Sequence, residues 1–184
     1  MTTVLLRPWE NGDLEDLIAI FRASDDLHTQ YPVAVRTLAQ ARECLDSMLA
    51  FTEPSKAFAI VVDDHCVGNV GIGHIERRND TGWVSYFSSA TVRGQGLVRR
   101  SLVAVANWAL SDLGLFRLEL GHRTNNPASG AVAEAAGFLP EGLERQKLRY
   151  GTERFDVRTM ARLVTDPFPP ADPDVSLFPL AKIN

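Results

Sequence analysis

Apolar and polar positions change rhythm several times along this chain, and each change marks an element. Leu14, Leu17, Ile18 and Phe21 recur at the three- and four-residue spacing of one helix face, with Asp13 placed to cap the first turn. Leu38, Ala41, Leu45, Met48 and Leu49 repeat that spacing and predict a second helix over Thr37–Phe51. Thr3–Arg7, ahead of both, reads as a short strand stopped by Pro8. The period then shortens. Ala57–Val62 and Val67–Glu76 are apolar runs on either side of Asp63-Asp64-His65, which predicts an antiparallel hairpin. A turn at Asn79-Asp80-Thr81-Gly82 leads into a strand at Trp83–Phe87. A long helical pattern at Ser101–Leu113 follows, then a strand at Phe116–Gly121. A shorter helix at Ala128–Ala136 is closed by Gly137 as a left-handed cap. Strands at Phe138–Gly142 and Phe155–Leu163, with a loop at Tyr150-Gly151-Thr152, complete a mixed α/β domain around one layered core.

The last twenty residues break the pattern. Five of the ten prolines (Pro167, Pro169, Pro170, Pro173 and Pro179) fall there, which excludes a regular helix or a central strand. The apolar pieces Val175–Phe178 and Leu180 predict a tail that docks on a surface, either its own domain or a second subunit. We therefore divide the chain into a domain at 1–165 and a tail at 166–184.

Length and composition suit one soluble globular domain: 184 residues, 45% hydrophobic and 23% charged. A net charge of −4 argues against general affinity for nucleic acid or anionic membrane, and biases faintly toward a cationic or amine-bearing substrate. Cys44 and Cys66 are expected to be buried thiols rather than a disulfide framework. The N-terminus lacks the basic region and apolar core of a signal peptide, and no apolar stretch approaches the ~20 residues that span a bilayer. The expected compartment is the reducing cytoplasm.

The richest segment is Val92-Arg93-Gly94-Gln95-Gly96-Leu97-Val98-Arg99-Arg100. A strand that turns through two glycines into a helix leaves the first helical N–H groups pointing outward without partners. The helix dipole adds positive character there, so the turn suits an anion such as a pyrophosphate. Arg93, Arg99 and Arg100 add charge within reach of phosphate oxygens. A plain tight turn is the competing reading. No Gly-Lys-Ser/Thr ends the segment as a P-loop would require, and Arg99 stands where a dinucleotide fingerprint needs its third glycine.

Four motifs in register narrow the choice: Arg93-x-x-Gly96, Arg117-Leu-Glu-Leu120, Asn126-x-x-Ser129 and Glu134-x-x-Gly137-Phe138. Over residues 3–164 the chain resembles the GCN5-related N-acetyltransferase (GNAT) family, in the branch that acetylates ribosomal-protein N-termini. The opening Leu-Arg-Pro-Trp-Glu and the closing Asp156-Val157 fit that branch too. The resemblance implies a mostly antiparallel central sheet with flanking helices and a V-shaped splay between Trp83–Phe87 and Phe116–Gly121. It implies acetyl-CoA as acyl donor, no metal, an amine acceptor (a protein N-terminus or small molecule) and a homodimer. By the same resemblance, Val92, Arg93, Gly94, Gln95, Gly96, Leu97, Val98 and Arg99 hold the pyrophosphate and Asn126 contacts the cofactor. Ser129 lies near the thioester sulfur, and N–H groups at a bulge near Phe87 and Ser88 polarise the carbonyl. Two departures stand out. Val98 replaces a small residue, and either crowds the helix start or points away. Leu148 occupies the place of the branch's general-base glutamate.

Acetyl transfer needs a neutral amine. A lysine-like amine of pKa ~10.4 is neutral in about one part in a thousand at pH 7, against roughly a tenth for an α-amine of pKa ~7.7–8.0. With Leu148 in place, Glu119 becomes the candidate base, acting through a water. Its alternative role is a structural carboxylate paired with Arg117. Ser129 is the candidate donor to the leaving sulfur; its other reading, a cap on the Ala128–Ala136 helix, is compatible with that role. Tyr86 reads as a packing residue, and His74 and Glu76 as solvated strand positions. His122 is expected on the sheet face opposite Glu119. Rival readings are a non-catalytic acyl-CoA sensor, a different donor such as succinyl-CoA, or an oxygen acceptor.

Overall fold

The computed structural model describes residues 2–27 and 35–178. Nine strands form one sheet: β1 (Val4–Pro8), β2 (Phe51–Thr52), β3 (Ser55–Val62), β4 (His65–Glu76), β5 (Thr81–Ser88), β6 (Arg117–Arg123), β7 (Leu139–Tyr150), β8 (Glu153–Leu163) and β9 (Val175–Leu177). Their order is β7-β8-β6-β5-β4-β3-β1-β9, with β2 paired to β3 off this path. Only β5·β6 and β1·β9 are parallel among these pairs. Helices α1 (Leu14–Arg22) and α2 (Leu38–Met48) lie on one face, α3 (Leu97–Ser111) and α4 (Pro127–Ala135) on the other.

Burial explains why β3 is an apolar run instead of an alternating one. Phe58 and Ile60 join the core under α3, while Ala57, Ala59 and Val61 join the core under α1 and α2. A strand covered on both faces has no solvent side to fill with polar residues. The predicted hairpin turn is made by Asp63 and Asp64, both left-handed at φ 48° and 63°.

Several boundaries move. Helix α3 begins at Leu97, four residues before the expected start, because Gly96 itself is the N-cap and the first helical bond runs from Arg100 N to Gly96 O at 3.1 Å. Asp13 stands at the N-cap of α1 but does not cap it. Its carboxylate turns back to Arg7 (2.7 and 2.8 Å) and to the Glu10 N–H at 2.8 Å. Burial pushes this carboxyl up, and the hydrogen bonds from Arg7 and Glu10 outweigh that and hold it low. Strand β7 continues past Gly142 to Tyr150, bulging at Gln146, whose φ is 53°. Pro8 ends β1 from inside the strand rather than from beyond it.

The tail docks on its own domain as far as it is described. Strand β9 adds to β1 at one sheet edge, and Asp172 receives Arg100 Nε at 2.7 Å. Arg100 is therefore buried in a structural ion pair. It does not reach toward phosphate, as the sequence suggested. Pro179 and Leu180 lie outside the described residues. Cys44 and Cys66 are free and buried, and burial pushes the Cys44 thiol up to about 11 and Cys66 higher still. Among the described residues no helix is long and apolar enough to cross a membrane.

Candidate active site

Strands β5 and β6 run parallel and together only from Thr81–Trp83 against Arg117–Glu119. Beyond that they separate, β5 continuing to Ser88 along β4 and β6 to Arg123 along β8. The inner edge of β5 from Val84 onward thus lacks a neighbouring strand on its β6 side. Backbone donors and acceptors along such an edge need a partner that can line up as a strand does.

A cavity of about 510 Å³ opens on the α3/α4 side of this gap. Phe87, Ser88, Val92, Arg93, Gly94, Gly96, Leu97, Val98, Arg99, Asn126 and Ser129 all line it; of the expected set only Gln95 does not. Gly94 and Gly96 have φ of 79° and 74°, and a Cβ at either would meet nothing within 4 Å. Their requirement is therefore conformational: side chains with a Cβ resist that backbone, although space is open. Leu97, Val98 and Arg99 form the first helical turn, whose N–H groups have no intrahelical acceptor. Val98 does not crowd the helix start; it lines the cavity and packs partly on the core. Arg93 Nη2 reaches Asp26 Oδ1 at 2.8 Å, an exposed pair worth little stability. These features suit an elongated ligand with a diphosphate at one end and an amide-bearing arm at the other. That chemistry matches coenzyme A.

A second cavity, of about 320 Å³, lies on the α2 side. Met48, Leu49, Asn69, Trp83, Ser85, Gly121, Arg123, Leu148 and Tyr150 contribute to its wall. The two cavities share Tyr86, Asn126 and Ser129, so they meet through the gap. At the meeting point Asn126 caps α4, its Oδ1 accepting Ser129 N–H at 3.2 Å. Ser129 is not the cap. Its hydroxyl lies 2.9 Å from the Tyr86 hydroxyl, which also donates to Ser129 O at 2.8 Å. Burial pushes the Tyr86 phenol up, with the Ser129 bond opposing, so Tyr86 stays a protonated donor. Tyr86 is the residue that sequence reasoning missed. A tyrosine among apolar strand neighbours gives no sign of where its hydroxyl ends.

Glu119 is not brought to this junction. Arg117 Nε donates to it at 2.7 Å, Arg117 also pairs with Glu141, and Glu119 lines neither cavity. Of its two roles the geometry supports the structural one. No bulge occurs at Phe87–Ser88 either: β4 and β5 keep register from Gly68↔Ser88 to Gly73↔Trp83, and the shift falls between Gly73 and Glu76. His74, left-handed at φ 50°, sits in that bulge, and Glu76 receives the Asn79 amide at 2.7 Å. His122 does face away from Glu119's side. Its ring packs against Gly130 of α4, where an added Cβ would come within 2.9 Å of it.

Residues 3–139 match the family described as "Acetyltransferase (GNAT) domain". The probable N-acetyltransferase YjcK of Bacillus subtilis is 25% identical over 173 residues, 89% of this chain and 96% of that one. Among solved structures, RimL, the ribosomal L7/L12 alpha-N-protein acetyltransferase in complex with coenzyme A, superposes with a TM-score of 0.81. It is 23% identical over 89% of this chain and 95% of its own. The spermidine N-acetyltransferase from Vibrio cholerae with CoA and spermine gives 0.76 at 17% identity, covering 89% and 96%.

Proposed function

The chain belongs to the GNAT acetyltransferase family, and from that premise we propose that it transfers acetyl from acetyl-CoA to a primary amine by direct attack in a ternary complex. The observation that carries this reading is the pair of cavities joined through the β5–β6 gap at Tyr86 and Ser129. The glycine turn and the first turn of α3 would hold the diphosphate, and the open edge of β5 the pantetheine amides. Acetyl-CoA supplies a carbonyl carbon activated by its thioester. The amine nitrogen bonds to that carbon as the carbon–sulfur bond breaks. One proton leaves nitrogen and one reaches sulfur, giving an amide and a free thiol. On this reading the Ser129 hydroxyl, whose proton points to the Tyr86 oxygen, turns that proton to the departing sulfur.

No aspartate or glutamate lines the acceptor-side cavity among the described residues, and Leu148 stands in its wall. An acceptor that reaches the site already neutral suits this wall, which favours an α-amine over a lysine-like one. We read residues 1–165 as the catalytic domain and 166–184 as a tail whose described part, 166–178, clasps it. A homodimer is part of the same proposal, supported by the exposed Leu139 and Leu143 on edge strand β7, and sedimentation at graded concentration tests it. Free, buried Cys44 and Cys66 support a reducing compartment such as the cytoplasm. A thiol-release screen of acetyl-CoA against diverse amines, with product masses, tests the function. One acetyl gained per thiol released supports it, and bound coenzyme A without turnover on any amine rejects it.

A further inference from the structure

Resting on the proposed function, we infer that the acceptor carries an anionic group beside its primary amine, and that Arg123 receives that anion. Arg123 ends β6 and lines the acceptor-side cavity. Its guanidinium lies 5.0 Å from the Tyr150 ring centroid and 5.3 Å from that of Phe155. Cation–π contact with two rings holds the guanidinium in place, and its N–H groups remain a fork suited to a carboxylate or phosphate. Arg7, Arg93, Arg100 and Arg117 are each engaged by a carboxylate, whereas no ion pair among the described residues uses Arg123, which is the arginine that lines this cavity.

The rest of the wall agrees. Asn69 has its amide oxygen occupied by Trp9 Nε1 at 2.9 Å, which leaves the NH2 as that amide's remaining capacity. Tyr150 brings a phenol, and His122, whose Nδ1 lies 3.0 Å from Arg123 O, brings an imidazole. Donors and one full positive charge face this space, with no aspartate or glutamate among its described lining residues. A polyamine would set its second ammonium beside Arg123, a like-charge contact strengthened by partial exclusion of water. The chain's overall charge of −4 points the other way, but the reacting molecule meets the local wall and not the sum.

Two sources supply such an anion: the α-carboxylate of a free amino acid, or an acidic side chain at a peptide N-terminus. Matched pairs separate them. Alanine is compared with alaninamide, and Asp-Ala-amide with Asn-Ala-amide, each rate scaled to its neutral-amine fraction, with spermidine as the cationic control. In the wild type, kcat/KM for the anionic member of at least one pair exceeds its neutral partner by about 10- to 100-fold. Arg123→Gln brings that ratio to within about 3-fold, Arg123→Lys keeps an intermediate ratio, and added salt lowers it in the wild type. Spermidine or the neutral partners matching the anionic ones, or a ratio that survives Arg123→Gln, overturns the inference while acetyl transfer itself stands. Should Arg123→Gln not fold, the wild-type ratio and its salt dependence decide. Transfer to none of these amines, nor to any other, with coenzyme A still bound, would remove the proposed function and this inference together.

Discussion

The cavities on the two sides of the β5–β6 gap touch at the same three residues yet are made of different material. The α3 side takes seven of its lining residues from the single turn between Val92 and Arg99, two of them glycines, and the rest from the end of β5, the start of α4, Asp26 and Leu27. The α2 side is side chains, gathered from α2, β4, β5, β6 and β7. A backbone-built site is specified by conformation, so two glycines at φ near 75–80° define it and its neighbours can vary. A side-chain-built site is specified residue by residue, so on the proposed reading a single residue such as Leu148 bears on which amines suit it. On the proposed reading the first kind fixes the donor, and the second selects the acceptor.

The junction offers the largest test of that division. Ser129→Ala and Tyr86→Phe should lower kcat by about 100-fold or more with little change in KM for acetyl-CoA, as expected when a positioned proton donor is lost. Steady-state kinetics at saturating amine would show it, and wild-type turnover in both variants would reduce the Tyr86–Ser129 pair to packing. Next comes the backbone side. Gly96→Val forces a β-branched residue into a left-handed N-cap, at about 1–2 kcal/mol. Coenzyme A binding should weaken by about 5- to 30-fold, with KM for the amine little changed.

The clasp gives a smaller effect that reaches stability more than binding. Asp172→Asn loosens the tail from Arg100, and Tm should fall by a few degrees at neutral pH. The hydrogen bond from Arg100 holds the Asp172 carboxyl below its ordinary value. A depressed carboxyl stabilises the fold above its unfolded pKa and loses that effect as pH falls through the folded one. The gap in Tm between wild type and Asp172→Asn should therefore close below about pH 4. Smallest of all, Glu119→Gln should change kcat/KM by less than about 3-fold, since Arg117 already holds this carboxylate away from both cavities. A drop of 100-fold would return Glu119 to the role of base.

What the sequence revealed follows the same line. The hairpin at Asp63-Asp64, the glycine turn, the Gly137 cap and the β5–β6 splay are local or motif-borne, and each appears in place. Helix α3 begins earlier than its apolar pattern because Val98, Arg99 and Arg100 carry no helical stripe, and Gly96 rather than periodicity sets the start. Arg100 differs from its expected place for another reason: it is held by Asp172, 72 residues away, and no spacing announces such a partner. Glu119 meets Arg117, the partner its alternative role named. Tyr86 and Arg123 meet Ser129 and Tyr150 only when α4 and β7 fold back on them.

The most direct measurement is calorimetric titration of coenzyme A and of pantetheine, which lacks the diphosphate, into the wild type and Gly96→Val. The account predicts that coenzyme A binds the wild type far more tightly than pantetheine and that Gly96→Val narrows the difference by about 5- to 30-fold. Equal affinity for the two ligands in the wild type, or no uptake of coenzyme A by folded protein, would contradict it.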